Sequence, residues 1–317
     1  MLPALRERRG TPAGGPVRTV RAKSVPAGRT SRHLTSTARY FSAMEILSPA
    51  WATDLAMLRL AGSEIEAHPT FVVVRTPELP TWRWGNFVLL RRVPLRRDLG
   101  HAVELFHREL PGFGHVALGF DDPEGDAGSL SGLAHAKFST TADLVLVAQG
   151  LLPHAPTSNA RVERIESDDA WAHKVALDLA CDGGDGSQVH ETLATRRAGV
   201  QRRVSEAGNA AWFGAWEGNR MLASTGVVRT DDGRARLRRA AIHPEARGRG
   251  LGALLVEAAA AHAAAEYAAD TLVTVCDPHD AITRLYRRLG FTLAGHQLQA
   301  ERTAPLGTPR VSSPATR

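Results

Sequence analysis

The segment Ile242-His243-Pro244-Glu245-Ala246-Arg247-Gly248-Arg249-Gly250-Leu251-Gly252 constrains this chain more than any other. It leads from an apolar stretch into the Ala- and Leu-rich run 251–268, so it reads as the turn between a strand and a long helix. Glycines at 248, 250 and 252 admit unusual φ values and close approach of a ligand. The helix start offers backbone N–H groups and the positive end of the helix dipole, which suits a pyrophosphate. Arg247 and Arg249 add charge. No Gly-Lys-Ser/Thr is present, which excludes a Walker loop. The glycine spacing is not G-x-G-x-x-G, and no acidic residue ends a following parallel strand at the right distance, which argues against a dinucleotide site.

Periodicity places this cradle in a mixed α/β chain. In the first half it predicts a helix at 48–65 and strands at 71–75 and 86–93. A helix follows with Leu99, Val103, Phe106 and Leu110 on one face, then strands at 115–120 and 143–147 around a short helix near 130–137. Pro153, Pro156 and Asn159 mark a linker. The second half predicts a strand at 161–165, helices over 168–179 and 187–206, and strands at 210–217, 220–229 and 234–243. After the cradle come a helix at 250–268, a strand at 272–276, a helix at 280–289 and a closing strand at 291–298. A sheet antiparallel early and parallel late, with helices on both faces, is the natural packing.

Composition sharpens the boundaries. The chain has 317 residues, 39 Lys+Arg against 33 Asp+Glu, and a net charge of +6. Residues 1–43 carry nine of the basic residues and one acid, Glu7, leaving 30 basic and 32 acidic residues beyond them. The positive charge therefore belongs to a tail, and a basic face typical of a nucleic-acid-binding domain is not expected. The tail fits an organellar leader, a nucleic-acid arm, or a translated upstream region with Met44 as the start, and the last is preferred because the folded pattern begins there. The expected organisation is a disordered tail at 1–43, domains at 44–155 and 160–302, and a disordered tail at 303–317. Two cysteines, Cys181 and Cys276, exclude a disulfide framework and a four-thiolate zinc site. No uninterrupted apolar run is long enough to span a membrane. A cytoplasmic protein with no metal, no membrane and no nucleic-acid partner is expected.

The cradle resembles the acyl-CoA-binding motif of the GCN5-related N-acetyltransferase (GNAT) superfamily, Arg/Gln-x-x-Gly-x-Gly/Ala, here Arg247-x-x-Gly250-x-Gly252. The resemblance extends upstream to Ala240-Ala241-Ile242-His243-Pro244 and downstream to Asp280-Ala-Ile-Thr-Arg-Leu-Tyr286-Arg-Arg-Leu-Gly-Phe291, with Asp280 where the family has Asn. It covers roughly 161–302. In the first half, Pro94-Leu-Arg-Arg97-Asp-Leu-Gly100-His-Ala102 echoes the same motif, which suggests a degenerate GNAT-like half without a tyrosine. Trp82-Arg-Trp84-Gly85-Asn86-Phe87 resembles a block of tandem acetyltransferases, and its tryptophans are expected to pack between the halves.

The resemblance implies an acetyl-CoA-dependent N-acetyltransferase acting on a small-molecule or peptide amine by direct attack in a ternary complex. Backbone groups of Ala240 and Ile242 would pair with the pantetheine arm, and those of Arg247, Gly248, Arg249, Gly250, Leu251 and Gly252 would hold the pyrophosphate, with Asp280 nearby. The Ile242 N–H would stabilise the oxyanion and Tyr286 would protonate the thiolate. The strand position where some members carry a Glu base holds Leu237, Arg238 and Arg239. Asp277, His279 and His190 are the remaining base candidates, beside a water chain. Arg238 and Arg239 either attract a carboxylate on the acceptor or lie solvated. Cys276 is expected as a small core residue. A non-catalytic acyl-CoA-binding sensor, a transferase of longer acyl groups, and a nucleic-acid-associated protein acting through the tail are the competing readings. A tandem pair makes a monomer plausible.

Overall fold

The computed structural model describes residues 43–153, 158–182, 187–230 and 232–303. The basic segment before Ala43, the tail beyond Thr303 and parts of the linker and of the 180–190 loop lie outside the described residues. In the first half the elements are α1 (Pro49–Leu60), β1 (Glu64–Ala67), β2 (Phe71–Arg75), β3 (Phe87–Leu90), α2 (Leu99–Glu109), β4 (His115–Phe120), α3 (Ser131–His135) and β5 (Ser139–Ala148). The second half opens with β6 (Arg161–Arg164), α4 (Asp168–Asp182), α5 (Gln188–Glu206), β7 (Ala210–Glu217) and β8 (Arg220–Arg229). It continues with β9 (Arg234–Leu237), β10 (Ala241–Ile242), α6 (Leu251–Tyr267), β11 (Thr271–Cys276), α7 (Ile282–Arg288) and β12 (Thr292–Thr303).

Local chemistry explains the helix starts. The Ser48 hydroxyl accepts the Trp51 N–H and Pro49 takes the first helical position, fixing the start of α1. Ser187 caps α5 through the His190 N–H. α6 has no side-chain cap; Gly250 precedes it at φ 80°. The predicted helix 48–65 stops at Leu60 because Gly62, at φ 95°, turns the chain into β1.

The strands form one mixed sheet in the order β1-β2-β3-β4-β12-β5-β11-β9-β8-β7-β6, with β10 on β8. β3/β4 and β9/β11 are parallel; the other pairs are antiparallel. The two halves exchange their last strands. β5 ends the first half yet pairs with β11, Cys276 opposite Leu144. β12 ends the second half yet lies between β4 and β5, Glu301 opposite Ala117. The strand expected at 291–298 therefore runs on to Thr303. Leu298 and Ala300 bury fully against the first half's core, while Arg83 binds Glu301 and Thr303.

Helix α1 lies across the join. Ala50 packs on Val145 and Val273, in a core of its own. Below it Arg236 of β9 is buried, with Asp54 at 3.1 Å, Thr53 Oγ1 at 2.8 Å and the Ala50 carbonyl at 3.3 Å. Removing one partner of such a buried pair costs about 3–5 kcal/mol. In the Trp82–Phe87 block, Trp84 stacks against Trp51 and Phe87 inside the first half. Asn86 ties the block down, accepting from the Thr76 N–H and donating to the Leu79 and Trp82 carbonyls. Arg83, not the tryptophans, makes the block's link to the second half's strand. On the opposite face of the second half, Leu255, Val256 and Ala259 of α6 bury fully against Ala235 and Leu237.

Candidate functional site

The segment read as one strand at 234–243 is interrupted. Arg236 and Leu237 lie opposite Val228 and Val227, and the Arg238 N–H donates to the Gly226 carbonyl. Pairing resumes with Ala241 opposite Ser224. Arg239 and Ala240 thus face the single residue Thr225, which is a β-bulge. The Thr225 hydroxyl donates to the Arg238 carbonyl at 2.7 Å and anchors the bend.

The bulge opens the sheet. β9 and β11 stay paired only as far as Arg236 opposite Val273. Beyond that point Thr274, Val275 and Cys276 keep β5 on one side and lose β9 on the other. The His243 N–H donates to the Leu222 carbonyl, so His243 and Ala241 turn their backbone groups towards β8. By the alternation of an antiparallel ladder, Ile242 turns its N–H and C=O the other way, into the gap.

Next to the gap lies the glycine turn. Gly248 and Gly250 take φ 78° and 80°, a region that L-residues with a Cβ avoid. Among the described residues no backbone or side-chain acceptor receives the N–H groups of residues 248 to 252. At Gly252 a Cβ would lie 2.9 Å from Leu285 Cδ2 and 3.4 Å from Ile242 Cδ1, so the tips of those side chains would have to move. The result is a bare row of donors at a helix start beside an open strand edge. These features fit the phosphates and extended arm of a CoA thioester.

A cavity of about 1190 Å³ joins these features and passes to the other face of the sheet. One end is walled by Arg247, Gly248, Gly250 and Gly252, with Arg284, Arg287 and Arg288 of α7. None of these four guanidinium groups has a carboxylate partner among the described residues. Sequence reasoning found Arg247 but missed the α7 arginines; their spacing of three and four residues on one helix face was the available signal. The other end is lined by Lys174, Asp178, Asp182, Arg197, Gln201 and Arg238, which the sequence did not assemble because they come from α4, α5 and the bulge that follows β9.

The remaining assigned residues fall into different places. Ala240, Ile242, Leu251 and Asp280 line the cavity. Asp280 accepts the Ile282 N–H at 3.1 Å and pairs with Arg239 at 3.1 Å. Arg249 points away from it and pairs with Glu217. Tyr286 is 1% exposed, tilted against Phe291, and does not line the cavity. Its hydroxyl and that of Thr274, on the freed stretch of β11, are both buried and lie beside each other without a well-formed hydrogen bond to any other group. Burial pushes the phenol up to about 12, with Thr274 acting in the opposite sense. None of Asp277, His279 and His190 lines the cavity. Cys276 is buried with its sulfur 3.3 Å from Thr283 Oγ1, and burial raises its thiol. No group of three or more His, Cys, Asp or Glu among the described residues is placed to hold a metal. No helix among them is long and apolar enough to cross a membrane.

The equivalent position in the first half has no gap. β3 and β4 stay paired to Leu90 opposite Phe120, and the Asp121 N–H still donates to the Leu90 carbonyl. The buried Asp121 carboxylate, held by the Leu47 and Ser48 N–H groups and Arg91, locks that end.

Comparison with known proteins agrees with this geometry. Residues 208–293 match the family model described as acetyltransferase (GNAT) domain. Among solved structures, a functionally unknown conserved protein from Staphylococcus epidermidis superposes with a TM-score of 0.62 at 12% identity, covering 77% of this chain and 96% of its own. A GCN5-related N-acetyltransferase from Kribbella flavida gives 0.57 at 15% identity, covering 81% and 95%. At such identities the superpositions speak for the fold, and they extend it over both halves. Comparison with curated proteins gave no match. The chain therefore contains a GNAT acetyltransferase domain at residues 208–293, set in a fold that the compared structures share over both halves.

Proposed function

We propose that this protein transfers an acetyl group from acetyl-CoA to a primary amine, by direct attack within a ternary complex. The observation that carries the reading is the bulge at Arg239–Ala240, which frees the Ile242 backbone beside an unsatisfied row of N–H groups at residues 248–252. Acetyl-CoA supplies an activated thioester carbonyl. The N–H groups of Gly248 to Gly252 hold the pyrophosphate, and Arg247, Arg284, Arg287 and Arg288 neutralise phosphate charge. The free N–H of Ile242 is the donor available for negative charge developing on the carbonyl oxygen; one such donor is worth roughly 3–4 kcal/mol in the transition state.

In this reading Tyr286 donates the proton to the leaving thiolate. Its phenol stands beside Thr274, on the β11 edge that the gap exposes, and it stays protonated at neutral pH. A second reading, a non-catalytic acyl-CoA-binding protein, is favoured by the deep burial of that phenol and by the engagement of Asp178, Asp182 and Asp280 in ion pairs. Calorimetric titration with acetyl-CoA, beside Gly250→Asp, tests the shared step: wild type binds and the variant does not. Thiol release with a panel of amines then separates the two readings. Turnover that Tyr286→Phe reduces supports the transferase; tight binding with no turnover of any amine supports the sensor. Failure of the folded wild type to bind acetyl-CoA overturns both.

A further inference from the structure

The chamber at the α4–α5 end of the cavity has a charge imbalance. Lys174 is buried and pairs with Asp178 at 2.6 Å. Arg197 pairs with Asp182 at 3.2 Å. Arg239, at the gap, pairs with Asp280 at 3.1 Å. Arg238 has no such partner: it is half-buried against the cavity wall, and its guanidinium lies 3.5 Å from the sulfur of Met57. The carboxylate whose charge reaches it, Asp54, is already bound to Arg236 and Gln297. Its other charged neighbours, Arg236 and Arg197, repel it. Burial and that repulsion both push its guanidinium down from its ordinary value, so the charge is held at a cost. Close by, Gln201 lines the same chamber with its Oε1 buried and unbonded. A half-buried guanidinium that lines a cavity with no carboxylate of its own is placed to meet an anion entering that cavity.

We propose that Arg238 is the carboxylate-binding residue of the acceptor site, and that the acceptor is a compact amine bearing a carboxylate, an amino acid or amino-acid-like zwitterion. This rests on the transferase reading above and narrows its acceptor. An acceptor carboxylate would complete the charge pairing of the chamber, and a guanidinium fork binds a carboxylate with paired hydrogen bonds. The distance sets the size. Arg238 begins the bulged stretch and Ile242, the oxyanion donor, ends it; the backbone between them spans at most about 13 Å. An amine attacking at Ile242 therefore has its own carboxylate within reach of Arg238 when only a few bonds separate the two groups, as in an amino acid. The Gln201 carbonyl oxygen is a free acceptor for an N–H of the same molecule.

The test is calorimetric titration of the CoA-saturated full chain with the standard L-amino acids and, in parallel, with their primary amides. The expected result is at least one amino acid that binds 10-fold or more tighter than its amide. Arg238→Gln is expected to erase that preference while leaving acetyl-CoA affinity unchanged, and Arg238→Lys to restore part of it. The comparison of acid with amide needs no mutation, so it decides the matter even where Arg238→Gln fails to fold. Equal binding of acids and amides, or of neither, on a protein that binds acetyl-CoA normally overturns the acceptor assignment and leaves the transferase reading standing. Preference for aminoalkyl phosphates over amino acids overturns the carboxylate. Loss of acetyl-CoA binding by the wild type removes both.

Discussion

Gly252 stands where helix α6, Leu285 and Ile242 converge, and a larger side chain there pushes both of them towards the cavity they line. Gly252→Val is expected to weaken acetyl-CoA affinity by at least about 10-fold with the fold intact, read by calorimetry beside circular dichroism. Tyr286 makes a different argument. Its hydroxyl is buried beside that of Thr274, so Tyr286→Phe should leave the fold intact and change stability by no more than about 1 kcal/mol. The same variant should lower turnover by about 100-fold or more if the phenol is the acid. Unchanged turnover would assign the residue to packing alone. Tyr286 and Tyr267 both stand at about 12 against an ordinary 10.0, because burial disfavours the phenolate. A raised value in the folded state means that the stability it reports is complete below pH 10 and drains away as pH rises towards 12. Denaturation by urea at intervals across that range should show the fall, and its absence would mean the phenols are hydrated.

Among elements, β9 and β10 carry the most consequence per residue. The bulge inserts one residue opposite Thr225, and this displaces everything after it away from β11. Deleting Ala240 should return the strand to an even register and let β10 rejoin β11. The expected outcome is a folded protein of undiminished stability that no longer binds acetyl-CoA. Retained binding would show that the gap is not the arm's groove. The bulge was invisible in the sequence, because Arg-Leu-Arg-Arg-Ala-Ala-Ile gives no interruption in its pattern. The glycine turn was legible, since positive φ at 248 and 250 selects a residue type that can be read directly.

The whole molecule is held by strand exchange. β5 and β12 lie side by side at its centre, each contributed to the other half's sheet. Cutting the chain at an engineered protease site within 154–157 should therefore leave both pieces associated under native conditions, as gel filtration would show; separation would mean that the exchanged strands do not carry the join. α1 makes the halves depend on each other chemically as well. It brings Asp54 to Arg236 and Met57 to Arg238, so a helix of the first half borders the α4–α5 end of the second half's cavity. The first half itself lacks the opening, its parallel strands being sealed by Asp121.

Sequence alone determined what depends on local chemistry. The turn at 247–252, the Ala-rich helix behind it, the α5 and β7–β8 spans and the GNAT domain of the second half were all legible, because each is written in residue type and short-range period. The tertiary structure alone decided what depends on partners far along the chain. Pairing of β12 with β4 joins residues such as Glu301 and Ala117, and the gap needs Thr225 opposite two residues at once. The unpaired charge of Arg238 exists only because α1 and α4 bring their carboxylates to other cations first. A one-dimensional pattern records which residues want burial or a turn; it does not record which of many compatible edges, or which of several carboxylates, each of them meets.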